Sequence, residues 1–213
     1  MPFDIYQLDE ADEYDEEAFE KYQDALLEQF FASPEGQARF QEDPEMGFWA
    51  AQFLHFGYNY VGVTLPQMRQ RHVEEIMEDL FPRKVSLLSP DNADDAIPEL
   101  LAFWEFLKRE YKLPQADEIM EYLREIAPEF KGIMNDPSRF GMAKSFFMMG
   151  QAAGFDMTTQ EGAEAFMNWY NAMVMMQEEM ARQRDRPATR KRRKAKKKRK
   201  PTKVARKKGK KKR

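Results

Sequence analysis

Side chains able to do acid–base or metal chemistry are scarce in this 213-residue chain, which has two histidines and no cysteine. His55 stands in a row with Gln52 and Asn59, spaced i, i+3, i+7, so all three fall on one edge of a helix. A polar row on an apolar helix is a solvent-facing strip, a buried hydrogen-bonded row or one wall of a ligand pocket. Gln52, His55 and Asn59 are therefore the pocket candidate of the chain. His72 precedes Glu75 and Glu78, an imidazole–carboxylate set of the kind that holds zinc; a solvated histidine on an acidic helix gives the same pattern. A ferritin-like di-iron site needs two Glu-x-x-His motifs. The residues three before each histidine are Gln52 and Arg69, which excludes that class. Without cysteine there are no disulfides and no thiolate metal sites. No G-x-S-x-G, P-loop or dinucleotide fingerprint occurs. Gly57 and Gly62 have P-loop spacing but lack the Lys and Ser/Thr that should follow. No catalytic residue, metal or cofactor is expected, and the chain reads as a non-enzymatic protein.

The densest chemistry is electrostatic. Residues 186–213 hold 19 Lys/Arg and no acid. Of 34 basic and 37 acidic residues, 15 and 37 therefore remain in residues 1–185, giving formal charges of +19 and −22 that a net of −3 conceals. Basic residues at this density cannot bury surface, so residues 185–213 are expected to be a disordered tail. Its contact residues would be Arg190, Lys191, Arg192, Arg193, Lys194, Lys196, Lys197, Lys198, Arg199, Lys200, Lys203, Arg206, Lys207, Lys208, Lys210, Lys211, Lys212 and Arg213. Attraction to phosphate polymers needs no fold. The tail has no aromatic residue for base stacking and no preformed element to read base edges. DNA or RNA, bound without sequence choice, is the partner these residues suit. A solubilising extension, a localisation signal and a clamp on the protein's own acids are the competing uses. An anionic membrane would attract it by about 1 kcal/mol per charge, but no lipidation motif or apolar anchor accompanies it.

The elements that must position these groups all read as helices. Eight of the twelve residues 9–20 are acidic, and like charges at that density predict disorder over residues 1–12. Phe19, Tyr22, Leu26 and Phe30 then mark one face of a helix ending near Ala32. Ser33-Pro34 starts a short helix with Ser as N-cap and Pro in the first turn. Asp43-Pro44 has the same form and predicts a helix over 44–60 with Trp49, Phe53, Phe56 and Tyr60 inward. Thr64-Leu-Pro-Gln67 predicts a capping box and a helix to about Leu80, stopped by Phe81-Pro82. After a connector at 83–92, Asp94 or Asp95 caps a helix to about Tyr111, with Ile97, Leu100, Leu101, Trp104 and Leu107 inward. Pro114 starts a helix to about Ala127, and a short piece follows at 129–134. Asp136-Pro137 starts one ending at Ala153 with Gly154 beyond it, and a Thr158 capping box opens the last, to about Arg184.

The Pro-Glu, Asp-Pro, Phe/Gly and capping-box series from Ser33 to Thr64 recurs from Ala127 to Thr158, which suggests two pseudo-repeated helical units. Nine of the fifteen methionines lie in residues 142–180. Methionine fills core gaps and also lines adaptable binding surfaces. Phe166, Tyr170, Met173 and Met180 form the expected inward face of the last helix. Trp169 and the outward Met175 mark a candidate protein-partner surface, the alternative being an adaptor with an incidental tail. The fold expected is an all-α bundle of about 6–8 helices over 13–184, with no transmembrane segment. The acidic N-terminus and the absence of cysteine suit the cytoplasm, with nucleoid or ribosome association, or the nucleus in a eukaryote.

Overall fold

In the computed structural model, which describes residues 3–9 and 15–185, every regular element is helical. The chain divides into two compact units, Met1–Ala152 and Ala153–Arg213. The predicted tail disorder lies outside the described residues.

The first unit opens with a turn rather than a free end. Ile5 and Leu8 are buried in the core, and the Tyr22 hydroxyl donates to the Ile5 carbonyl at 3.2 Å. Disorder through residue 12 was expected from charge alone; at residues 3–9 the apolar anchors outweigh it. Helix α1, Glu16–Ala32, forms as its spacing predicts, capped by the Asp15 carboxylate accepting from the Ala18 N–H. Phe19, Tyr22, Leu26 and Phe30 are all buried. Ser33 caps α2, Pro34–Glu42, through the Gly36 N–H, with Pro34 in the first turn.

Helix α3, Phe48–Phe56, starts four residues later than Asp43-Pro44 predicts. The Asp43 side chain accepts from the Glu45 N–H and from Arg39 instead of capping a helix. Gly47, at φ +115°, stands at the N-cap position with no side chain to offer. The cap comes from elsewhere: the Glu99 carboxylate accepts from the Ala50 N–H at 2.7 Å. Helix α3 widens into a π-helical segment, Gly57–Val61, ended by Gly62 at φ +74°. Tyr60 lies half out of the protein rather than inward.

Thr64 does not cap a helix either. Its hydroxyl donates to the Asp9 carboxylate, and the next helix, α4, begins six residues on at Gln70–Glu74. It passes through a π-helical segment, Glu75–Leu80, into α5, Phe81–Lys84. Pro82 is accommodated in the first turn of α5, so Phe81-Pro82 does not stop the chain there. A 3-10 turn, Pro90–Ala93, leads to α6, Ala96–Tyr111. Leu100, Phe103, Trp104 and Leu107 of α6 are fully buried at the centre of the unit, and α6 packs against α2, α3 and α7. Leu101 is only half-buried; Phe103 and Phe106 complete the face instead.

Helix α7, Ala116–Asn135, continues through Pro128 and merges two predicted pieces. Proline inside a helix forfeits a hydrogen bond and costs about 3 kcal/mol in isolation. Burial of Phe130 and Met134 beyond it supplies the compensation. Asp136 caps a 3-10 turn, Pro137–Arg139, before α8, Met142–Ala152. The recurring series of caps therefore does not build matching units: Pro128 lies mid-helix, Thr64 caps nothing, and α3 packs on α1 and α6 whereas α8 packs on α5.

The second unit contains α9, Gln160–Asp185. Its cap is Thr159, whose hydroxyl accepts from the Gly162 N–H at 3.0 Å, one residue beyond the predicted Thr158. Phe155, Phe166 and Trp169 form an aromatic cluster at its base. Among the described residues no helix is long and apolar enough to cross a membrane.

Candidate functional site

The predicted polar row is only partly assembled. Asn59 Nδ2 lies 2.7 Å from His55 Nδ1, one helical turn away. With the Asn59 amide donating, Nδ1 is the acceptor and the ring proton sits on Nε2. That neutral form agrees with the direction of the His55 pKa, which burial lowers against a weaker opposing pull from Glu16. The other end of the amide, Oδ1, is buried with no hydrogen-bond partner among the described residues. Gln52 is half-buried on the same helix and makes no hydrogen bond to either. The His55 ring meets Phe56 and Tyr60 edge-on, and Lys84 Nζ stands 4.3 Å over the Tyr60 ring. The row is thus a half-buried His–Asn pair under an aromatic and cationic rim.

His72 lies between cations. Its Nδ1 accepts from the Arg69 N–H at 3.2 Å, and burial together with Arg71 lowers its pKa. Glu78, one of its sequence-predicted co-ligands, accepts instead from the Tyr122 hydroxyl at 3.0 Å. Among the described residues no group of three or more His, Asp or Glu side chains converges.

Glu99 stands in no motif, yet among the described residues it is the most deeply buried acid in the first unit. Burial raises its pKa against the hydrogen bonds from Ala50 and Gly47 that favour its charge. Beside it, buried Arg39 donates to Asp95 at 2.8 Å and to Asp43 and Glu42 at 3.2 Å. Asp43, Asp95 and Glu99, with Phe48 and Leu88, line a surface cleft of about 310 Å³. The available signal was its register: Glu99 falls at i with Phe103 at i+4 and Phe106 at i+7, an acid on a buried stripe. A second hollow, about 290 Å³, is apolar and lies between Phe31, Phe40 and Met46. Neither contains Gln52, His55 or Asn59.

The methionines are where the structure departs most from a core-filling role. Of the nine in residues 142–180, only Met157 is buried; Met142, Met149, Met167, Met175, Met176 and Met180 are exposed. Trp169 is 45% exposed and Met175 71%, so both predicted partner-surface residues face solvent. Met180, predicted inward, is also half-exposed. The predicted nucleic-acid-binding residues, Arg190 to Arg213, lie outside the described residues.

No protein-family model matches the chain, and no match is found among curated proteins or solved structures.

Proposed function

We propose that this is a non-enzymatic helical binding protein whose Lys/Arg-rich residues 186–213 bind DNA or RNA without sequence choice. The observation that carries it is charge: +19 within 28 residues at one end, against −22 in the rest. A body of that sign repels a polyanion, so the attraction is assigned to the tail alone. Helix α9 ends at Asp185, one residue before the basic run begins, which tethers the run directly to a folded unit. The half-buried His55–Asn59 pair and the Glu99 cap each serve the fold around them, which fits a body that holds structure and makes contacts without turnover.

The test is a titration of the full chain and of residues 1–185 with a random-sequence duplex and a single strand of equal length. The full chain is expected to bind both. If about 6–10 phosphates are engaged, affinity should fall by roughly 10³–10⁵ between 50 and 200 mM salt. Residues 1–185 should not bind. Equal binding by the shortened chain, or a flat salt dependence, would place the interaction in the body.

A further inference from the structure

We infer that the exposed face of α9 is a parallel dimerisation seam, and that its occupant is the same helix of a second copy of this chain. From Asn171 to Arg184 no residue of α9 is buried, although the helix carries some of the largest apolar side chains left on the protein surface. Trp169, Met173, Met176 and Met180 recur at intervals of four, three and four residues. Alternating steps of four and three residues are the a/d spacing of a coiled-coil seam. Trp169, Met176 and Met180 are 45%, 64% and 50% exposed, and Met173 is half-buried. A helical end without packing is marginal in water, so this one gains from a cover.

Charge selects the occupant and its direction. With Met173 and Met180 at the a positions and Trp169 and Met176 at d, Glu179 falls at g and Arg184 at the following e. In a parallel pair, g of one helix faces the next e of the other. Two copies therefore form two Glu179–Arg184 bridges across the seam. An antiparallel pair with the same overlap sets Glu179 beside Ala172 and gives it no cation. Within one helix, among the described residues, Glu179 accepts from Gln183 Nε2 at 3.3 Å, a bond easily exchanged. Two heptads with methionine at most seam positions make a smaller interface than the standard of about 1,600 Å². The dimer is accordingly of micromolar order or weaker.

The parallel register has a consequence that rests on the proposed nucleic-acid function. Both chains leave α9 at Asp185 on the same side, so two runs of 19 basic residues emerge together. Free, they repel, and salt tightens the dimer by screening them. On one polyanion they act as linked binding modules, and avidity can exceed a single tail by 10²–10⁴. Dimerisation and nucleic-acid binding thus respond to salt with opposite sign, which separates failure of one from failure of the other.

The absence of cysteine makes the test direct, because a single introduced thiol reports one position. The full chain, free of nucleic acid, is examined by sedimentation at about 100 µM in 0.5 M salt and by oxidative cross-linking. The expected result is mass above the 25.2 kDa monomer, efficient cross-linking of Met180→Cys, and none of Arg182→Cys on the outer face. Met176→Glu with Met180→Glu should give monomer with unchanged helix content by circular dichroism, since both side chains face solvent. Monomeric wild type at that concentration overturns the seam. Dimer without the Met180→Cys cross-link overturns the parallel register, because an antiparallel helix sets the two thiols about 16 Å apart. Equal cross-linking at Arg182→Cys overturns the assignment of the face.

Discussion

Two buried ionisable side chains show how a single residue stores pH dependence. Lys144 is buried, donates to the Met134 carbonyl at 2.9 Å and lies over the Phe140 ring. Burial lowers its pKa to about 8. Between about pH 8 and the ordinary lysine value of 10.5, the unfolded chain therefore holds a proton that the folded chain has released. Stability should rise with pH across that window through this group. Urea melts at pH 8 and pH 10 should show wild type gaining relative to Lys144→Met, which lacks the titration; parallel pH profiles would rule the group out. Glu99 acts through geometry. Glu99→Ala removes the acceptor from the Ala50 N–H and should cost about 1–3 kcal/mol. Glu99→Gln retains an acceptor without the buried charge and should recover most of that loss in the same melt. If Gln is as damaging as Ala, the charge and not the cap is what α3 requires.

At the scale of elements, the tight corner between α1 and α2 is the most demanding. Ser33 accepts from the Gly36 N–H and donates to the Phe30 carbonyl at 2.7 Å, closing both helices with one hydroxyl. A Cβ at Gly36 would lie 2.0 Å from the Phe30 oxygen, a backbone atom that cannot swing aside. Gly36→Ala should therefore destabilise by about 3 kcal/mol, the scale of overpacking in a rigid site. Ser33→Ala should cost about 1 kcal/mol, as for a lost N-cap. Thermal melts of the two variants check the order; a harmless Gly36→Ala would mean that the corner opens. By contrast, Gly62 has open space around its Cβ position and is required only by its φ of +74°.

Across the whole molecule, the N-terminal acids and the C-terminal bases cannot be treated as interchangeable ballast. Ile5 and Leu8 are core residues, so removing residues 1–13 to strip acids would also cut the core. Ile5→Ala alone should cost about 2–4 kcal/mol, measurable by urea melt; a loss within error would show that the turn does not contribute. The acids are better tested by Glu10→Gln, Asp12→Asn and Glu13→Gln together, which spares the Asp9–Thr64 bond. If these acids compete with nucleic acid for the tail, the triple variant should bind a few-fold tighter at 50 mM salt. At 200 mM the gain should vanish, because charges beyond about 8 Å are screened. A gain that persists at high salt would point to a change in the body instead.

Helix class, the buried face of α1, the Ser33 cap and the division of charge between body and tail were legible in the residues. Each depends on neighbours within one or two turns or on a plain sum of charges. The course of α7 through Pro128, the fates of Asp43 and Thr64, and the role of Glu99 were not. A local rule states what a side chain can cap; it does not state which donor or acceptor reaches it first. Thr64 is claimed by Asp9, 55 residues away, and α3 is capped by an acid 49 residues downstream. The methionines of α9 illustrate the same limit. Their spacing defined a stripe, but the same period serves a buried face and a bare one. Only the tertiary structure decided that Met176 and Met180 face water, because burial depends on what else occupies the adjoining space and not on spacing along the helix.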